Sequence, residues 1–431
     1  MIRGPIILIF SMFLSVVLTT PLRAHAFTGI VVDASDGRPI EDAIITLKDV
    51  VTRSDHDGKF QIDGDGDSLG IRAYGHQRMS IAAADLKDPT KKIALAPLRP
   101  KALYLSFYGI GSSKLRNAAL GLIDTTELNA VVIDVKGDRG MIAFKSSIPL
   151  AETAHSNELR TIPDAKALID GLHRRNIYTV ARIVVFKDDP LATARPDLAV
   201  KRASGAPFRD RERLAWTDPF NIEVWDYNIS IAVEAAQIGF DEIQFDYVRF
   251  PDAPGLKFSK PTDLKSRLGA IDGFLSEARR RLVPYNVFLA ADIFGYVTWN
   301  LDDTHIGQRL EELAPIVDYI SPMLYPSCFQ FGIPGSRNPV AHPYEIVFLS
   351  LQNARERGIP SIRFRPWLQA FRDYAFDHRE FAGIQIRQQI SAAEKFGSDG
   401  WMLWNPRNQY TSAGLNIEGQ ACKQDAPNVV Q

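Results

Sequence analysis

An alternation of short apolar strands with amphipathic helices, repeated eight times from Leu103 onward, constrains the fold of this chain more than any other feature. Strands that alternate with helices pair in parallel, and eight such units close into a barrel. The sequence therefore predicts an α/β fold, a (β/α)8 TIM barrel with insertions in its loops. Strands are predicted at 103–107, 130–135, 178–185, 241–246, 287–292, 317–324, 362–369 and 400–404, and helices near 113–124, 163–175, 222–238, 262–282, 304–314, 343–357 and 383–396.

A doubly wound open sheet is the rival fold for this alternation. Such sheets commonly carry a glycine-rich phosphate turn after a strand, and neither G-x-G-x-x-G nor G-x-x-x-x-G-K-[ST] follows any predicted strand. The glycines at 109 and 111 have the wrong spacing for such a turn. We interpret residues 109–113 as a tight turn that caps the first barrel helix.

Residues 27–97 have a different sequence pattern, with short predicted strands and Asp-Gly turns. This pattern predicts a small β-sandwich at 27–97, and the barrel follows at 101–420. The order G-x-V-x-D-x-x-x-G-x-P-I-x-x-A and then T-x-x-D-G-x-F, matched from Gly29 to Phe60 with Ser54 at the position of the Thr, resembles the carboxypeptidase regulatory-like domains. The resemblance implies a structural or adhesive module, and we assign it no catalysis.

The first 26 residues have the pattern of a signal peptide. Arg3 gives a positive start, residues 6–18 are almost wholly apolar, and Ala24-His25-Ala26 is a small-x-small cleavage site. The apolar run is shorter than the roughly 20 residues that a membrane span needs. We expect export with cleavage before Phe27, no integral membrane span in the mature chain, and a periplasmic or secreted location. An uncleaved membrane anchor is the alternative.

Composition excludes several classes of function. The 50 Lys and Arg nearly balance the 51 Asp and Glu, so no overall charge favours nucleic acid as a partner. The eight histidines include no H-x-H or H-E-x-x-H pair, and no G-x-S-x-G elbow is present, so we predict no metal, no cofactor and no acyl-transfer nucleophile. Two cysteines, Cys328 and Cys422, either form a disulfide or remain separate thiols.

Carboxylates and aromatic side chains end several predicted strands. Catalytic residues of such a barrel gather at the carboxyl ends of its strands, where we expect Asp134, Asp246 and Asp292 to converge. Two facing carboxylates can break a glycosidic bond, because one gives a proton to the leaving oxygen while the other attacks or activates water. For a single isolated Asp, a helix cap or an ion pair would be the favoured interpretation, and the three together shift it toward a site. The residues predicted to bind the sugar are Asp134, Lys136, Arg249, Tyr325, Trp367, Gln369 and Trp404.

Three motifs carry a resemblance to a known family. GFDEIQFDYVRFP (239–251), VVIDVKGDRG (131–140) and AADIFGY (290–296) resemble a family of exported bacterial proteins whose glycoside hydrolase activity is itself a prediction. That family is similar to the α-amylase type of barrel. The resemblance implies that Asp246 is the nucleophile, Asp292 the acid/base and Arg249 a neighbour of the nucleophile. The α-amylase type has Glu in place of Asp292, and its Arg stands two residues before the nucleophile.

These observations predict an exported glycoside hydrolase that cleaves a polysaccharide or oligosaccharide with the pair Asp246 and Asp292. A non-catalytic carbohydrate-binding or scaffold protein of the envelope is the alternative, because the β-sandwich suggests placement at a surface as much as catalysis. A sugar-modifying lyase or transferase that uses the Lys136 region is a third possibility. The sugar, the linkage, the stereochemical outcome and the oligomeric state are left open.

Overall fold

The structure is a computed structural model that describes residues 25–86 and 88–417. Most of the predicted signal peptide and Cys422 lie outside these residues, so the cleavage and the disulfide stay predictions. Across the described residues, no helix is both long enough and apolar enough to cross a bilayer.

In the part of the chain described before the barrel, residues 25–86 and 88–100, seven strands form two small sheets. A three-stranded sheet has the order β4-β1-β7, and a four-stranded sheet has the order β3-β2-β5-β6. The alternating side chains of β4 point Phe60 and Ile62 into a shared core with Val31, Leu69 and Ile93. The strands are β1 (His25–Asp33), β2 (Ile44–Leu47), β3 (Val50–Arg53), β4 (Lys59–Gly64), β5 (Ser68–Arg72), β6 (Met79–Ala82) and β7 (Lys92–Leu95).

The next eight strands form the predicted closed parallel barrel, which confirms the fold class. They follow one another around the barrel in chain order, and β15 closes it by pairing with β8. Most of these strands are buried on both faces, as expected for a sheet that lies inside a ring of helices. The strands are β8 (Lys101–Leu105), β9 (Ala130–Lys136), β10 (Tyr178–Val184), β11 (Glu242–Asp246), β12 (Phe288–Phe294), β13 (Tyr319–Met323), β14 (Trp367–Gln369) and β15 (Trp401–Trp404).

Local capping fixes where several of the surrounding helices begin and end. The side chains of Asp164, Asn221 and Asp263 accept hydrogen bonds from amides in the first turn of α4, α6 and α7. Gly397, in a left-handed conformation, ends α10. The helices are α1 (Phe107–Gly111), α2 (Ser113–Thr125), α3 (Pro149–Thr153), α4 (Ala165–His173), α5 (Asp189–Ala194), α6 (Ile222–Ile238), α7 (Leu264–Leu282), α8 (Leu310–Leu313), α9 (Pro343–Glu356) and α10 (Gly383–Phe396).

Three predicted elements differ from the structure. Residues 109–111, expected in a tight turn, instead end a short helix, α1, which Ser106 caps, whereas the expected cap of the first barrel helix is confirmed at Ser112. The helix predicted at 304–314 is only the single turn α8, since Thr304, His305 and Gly307 have positive φ angles that no α-helix accepts. The seventh strand begins at Trp367 rather than at 362, directly after Pro366, whose ring nitrogen cannot donate to a neighbouring strand.

The β-sandwich docks on the amino-terminal end of the barrel. The guanidinium of Arg78 donates to Asp241 Oδ1 at 3.1 Å and to the carbonyl of Gly239 at 2.8 Å, both just before β11. Arg72 donates to Asn286 Oδ1 at 3.2 Å, just before β12. The sandwich therefore closes the end of the barrel opposite to the carboxyl ends of the strands.

Candidate active site

Arg182 lies at the centre of the carboxyl-terminal end of the barrel and binds three carboxylates. Its Nη1 donates to Asp134 Oδ1 at 2.6 Å and its Nη2 donates to Asp138 Oδ1 at 2.9 Å. Asp246 Oδ2 accepts from both Nε, at 3.0 Å, and Nη2, at 2.5 Å. Arg182 is 1% exposed, so these charges interact with little screening by water.

Asp292 completes the cluster but makes a different set of contacts. Its Oδ1 accepts from Trp367 Nε1 at 2.8 Å, and its Oδ2 lies 4.0 Å from Arg182 Nε. Oδ2 is buried and accepts no hydrogen bond in the described part of the chain. Burial, together with the charge of Asp246, raises the pKa of Asp292 well above the ordinary carboxyl range. Asp292 therefore holds a proton at a pH where an exposed Asp has lost it.

The pKa values of two further groups, Asp134 and Tyr325, are also shifted in this cluster. Burial raises the pKa of Asp134 to about 6, although Arg182 and the hydroxyl of Tyr104, 2.7 Å from Asp134 Oδ2, both favour the carboxylate. Burial and the charges of Asp292 and Asp246 raise the pKa of Tyr325, which keeps its hydroxyl protonated. The end of the barrel is thus rich in carboxylates held by a single guanidinium.

The chain turns sharply immediately after Asp246. Tyr247 has a φ angle of 49°, in the left-handed region that bulky residues rarely occupy, and its amide donates to Asp246 Oδ1 at 2.5 Å. Both oxygens of Asp246 are therefore fixed, one by this amide and the other by Arg182. A strained backbone of this kind persists only where the surrounding contacts hold it, and it is common in functional sites.

A cavity of about 430 Å³ opens beside the cluster, at the ends of β8, β9 and β15. Asp134 and Asp138 line it, whereas Asp246 and Asp292, which are 4% and 1% exposed, do not. Trp404 forms part of the wall and stacks on Tyr104 with ring centroids 3.9 Å apart. The ring of Trp404 lies 4.9 Å from the Arg182 guanidinium carbon, so aromatic and charged groups share one surface.

Lys136, predicted to bind the sugar, does not belong to this site. Its Nζ lies 2.6 Å from Asp188 Oδ2 and donates to Asn228 Oδ1 of α6, so it faces the helices outside the barrel. The cause is a β-bulge in β9: Asp134 pairs with Arg182, but Lys136 pairs with Ile183. The extra residue, Val135, reverses the facing of Lys136 relative to Asp134.

Arg249 and Gln369 are also corrections to the predicted site. Arg249 lies over the rings of Trp216 and Tyr247 and donates to a backbone carbonyl, with no contact to Asp246. The amide of Gln369 is wholly buried and is consumed by hydrogen bonds to the amide and hydroxyl of Ser327. Of the predicted residues, the structure brings together Asp134, Asp246, Asp292, Tyr325, Trp367 and Trp404.

The sequence reasoning missed Arg182 and Asp138. A usable signal was present for Arg182, because it interrupts the apolar strand YTVARIVV, and a charge in a strand buried on both faces has to be paired. Asp138 stands in the motif VVIDVKGDRG, two residues beyond the end of β9. Its role depends on where the following turn goes, which strand periodicity does not predict.

A depression of about 500 Å³ lies between α6 and α7, but its carboxylates Asp226 and Glu277 are paired with Arg281 and Arg280. Within residues 25–86 and 88–417, no three His, Cys, Asp or Glu side chains are arranged to hold a metal ion.

Solved structures resemble this fold. The glycoside hydrolase domain of PgaB (BpsB) from Bordetella bronchiseptica is 16% identical, with a TM-score of 0.52 over 72% of this chain and 95% of that one. A hypothetical protein from Ruminiclostridium thermocellum is 37% identical over 44% of this chain and 96% of that one, with a TM-score of 0.39. A class V chitinase from Pseudomonas fluorescens is 14% identical over 73% of this chain and 97% of that one, with a TM-score of 0.44.

No curated protein matches the chain. A family model described as "Putative glycosyl hydrolase domain" matches residues 102–410, which span the barrel from β8 to the segment after β15. The match covers well over half of the chain and includes every residue of the carboxylate cluster. This chain therefore belongs to that glycosyl hydrolase domain family.

Proposed function

We propose that this protein is an exported glycoside hydrolase that cleaves a polysaccharide or oligosaccharide with the carboxylate pair Asp246 and Asp292. The observation that carries the proposal is the contrast between these two carboxyl groups, which approach the same nitrogen of Arg182 at 3.0 and 4.0 Å. One is paired with the guanidinium, and the other is kept protonated by burial. Glycoside hydrolysis needs one group of each kind.

The roles follow from the protonation states and from the resemblance to the α-amylase type. Asp292 gives its proton to the glycosidic oxygen as the bond to the anomeric carbon breaks. Asp246, as the nucleophile, forms a covalent bond to that carbon, and a water molecule that gives its proton to the Asp292 carboxylate then attacks the same carbon, releases Asp246 and restores the acid form of Asp292. Trp367 holds Asp292 Oδ1 at 2.8 Å, so the free Oδ2 is the oxygen that can present the proton.

The second candidate function is carbohydrate binding without catalysis. It is favoured by the burial of the pair, since Asp246 and Asp292 are 4% and 1% exposed and do not line the cavity. Charge clusters of this kind also occur as structural ion networks. The third possibility, a lyase or transferase that uses Lys136, has no supporting contact. The ammonium of Lys136 binds Asp188 and Asn228 outside the barrel.

The test compares Asp246→Asn and Asp292→Asn with the wild type on a panel of glycans, with product analysis. Each substitution should reduce turnover by about 10³-fold or more, because each removes one half of a two-group mechanism, while binding persists. Asp49→Asn, on the exposed surface of the β-sandwich, is the matched control. Wild-type turnover in either variant would remove that residue from catalysis, and glycan binding by the wild type with unchanged glycan would favour the binding protein.

Export has its own measurement. The cleavage site before Phe27 predicts a mature chain that starts at this residue and is found in the periplasm or the medium. Mass spectrometry of the intact protein after cell fractionation gives both the first residue and the compartment. A cytoplasmic chain that keeps residues 1–26 would contradict this part of the proposal.

A further inference from the structure

Only one carboxylate bound to Arg182 has substantial access to solvent. The side chain of Asp138 is 37% exposed, against 2% for Asp134, 6% for Asp246 and none for Asp292. Asp138 also lines the cavity of about 430 Å³ beside the cluster. A molecule that enters this cavity therefore meets Asp138 before it meets the buried pair.

Asp138 has one oxygen engaged and one available. Its Oδ1 accepts from Arg182 Nη2 at 2.9 Å, and its Oδ2 accepts no hydrogen bond in the described part of the chain. The same Nη2 donates to Asp246 Oδ2 at 2.5 Å. One guanidinium nitrogen thus contacts both a group that lines the cavity and the proposed nucleophile.

The loop that carries Asp138 is held in place. The amide of Gly140 donates to the carbonyl of Gly137 at 2.8 Å and closes a tight turn around Asp138. Gly140 has a φ angle of 81°, and a Cβ atom there would lie 2.4 Å from Asp188 Oδ1. The position of Asp138 is therefore built into the fold rather than left to a free loop.

Aromatic side chains also line the cavity. Tyr108 is 57% exposed and, like Trp404 and Asp138, contributes to its wall. Sugar rings stack on such faces through their apolar C–H surface, while their hydroxyl groups require polar acceptors at the edge. A carboxylate oxygen that accepts no hydrogen bond is such an acceptor.

We infer that Asp138 is a substrate-binding residue, whose free oxygen accepts hydrogen bonds from the hydroxyl groups of a pyranose unit held in the cavity against Tyr108 and Trp404. This inference rests on the proposed function, since it places the sugar next to Asp246. It assigns the cavity to the unit adjoining the bond that is cleaved. In this arrangement Arg182 contacts both Asp138, which binds the sugar, and Asp246 of the buried pair.

The experiment uses the mature full chain and three defined probes, chitohexaose, cellohexaose and maltohexaose. The probe that the wild type binds most tightly is titrated into Asp138→Asn, Asp138→Ala and the surface control Asp49→Asn by calorimetry. Loss of a hydrogen bond to a charged group weakens binding by about 10- to 100-fold. We expect this loss in both Asp138 variants, a KM raised by the same factor, an unchanged thermal melt, and wild-type behaviour of Asp49→Asn.

The two proposals fail separately in this experiment. Wild-type affinity and KM in both Asp138 variants would overturn the role of Asp138, whatever the activity of the protein. A wild type that binds the probe and leaves it uncleaved would overturn the hydrolase, while weak binding by Asp138→Ala would still support the cavity as a sugar site. Melting curves for each variant separate a lost contact from a lost fold.

Discussion

Asp246 Oδ2 accepts hydrogen bonds from two nitrogens of Arg182, Nε at 3.0 Å and Nη2 at 2.5 Å, so one buried guanidinium fixes the carboxylate that ends the fourth barrel strand. Arg182 comes from the third strand and also binds Asp134 and Asp138. The planar guanidinium presents donors in several fixed directions, which a lysine ammonium cannot reproduce. The geometry of the whole cluster therefore depends on this one side chain.

Replacement of Arg182 by Met should destabilise the protein strongly. It would leave Asp134 and Asp246 buried without their cation, and removal of one partner from a buried ion pair typically costs about 3 to 5 kcal/mol of unfolding free energy. Urea denaturation measures the loss. Arg182→Lys should recover only part of it, since Lys cannot bridge three carboxylates. Arg249→Met, which removes one hydrogen bond to a backbone carbonyl and the contacts with the rings of Trp216 and Tyr247, should cost less, about 1.5 to 3 kcal/mol, and serves as the control.

Asp292→Asn should change how stability depends on pH. Because burial and Asp246 raise the pKa of Asp292 in the folded protein, its protonated form stabilises the fold below the ordinary carboxyl pKa near 4, and this contribution is lost as the pH rises toward the folded pKa. Asn is neutral at every pH, so the variant should gain stability relative to the wild type as the pH rises above about 4, toward the raised pKa of Asp292. Urea denaturation at several pH values tests this. A difference that does not change with pH would contradict the raised pKa.

Lys136→Met should destabilise the fold without affecting the site. The ammonium pairs with Asp188 at 2.6 Å between the barrel and its helices, so its loss leaves a buried unpaired carboxylate and costs about 3 to 5 kcal/mol. The double variant Lys136→Met/Asp188→Asn should recover part of this, since Asn is neutral and can still cap α5. The KM of folded Lys136→Met should match that of the wild type. A raised KM with unchanged stability would return Lys136 to the binding site.

Arg78→Ala should loosen the β-sandwich from the barrel. Arg78 donates to Asp241 and to the carbonyls of Gly239, Phe240 and Tyr285, and hydrogen bonds to charged groups contribute about 1.5 to 3 kcal/mol each when broken. We expect a lower melting temperature with unchanged kcat/KM, because the contact lies at the end of the barrel opposite to the carboxylates. Arg38→Ala, at an exposed pair with Asp36, should leave the melting temperature nearly unchanged.

Local signals made most of the fold predictable. The helix α6 begins and ends at the predicted residues, because Asn221 caps it and Gly239 ends it, and both signals are visible in the sequence. The predicted start of the seventh strand was wrong because Pro366 directly precedes the strand. The helix predicted at 304–314 was wrong because positive φ angles interrupt that segment despite its apolar pattern. The same local reasoning found the carboxylates at the strand ends but not the directions of all the side chains around them.

The sequence by itself determined that Asp134, Asp246 and Asp292 would meet at one rim, because parallel strands that alternate with helices end on the same side of a barrel. Only the tertiary structure decided which groups join them. Asp134 meets Arg182 across 48 positions of the chain, and a one-residue bulge turns Lys136 outward. Strand pairing and bulges depend on neighbouring strands distant in the chain, and no periodicity within a single strand encodes them.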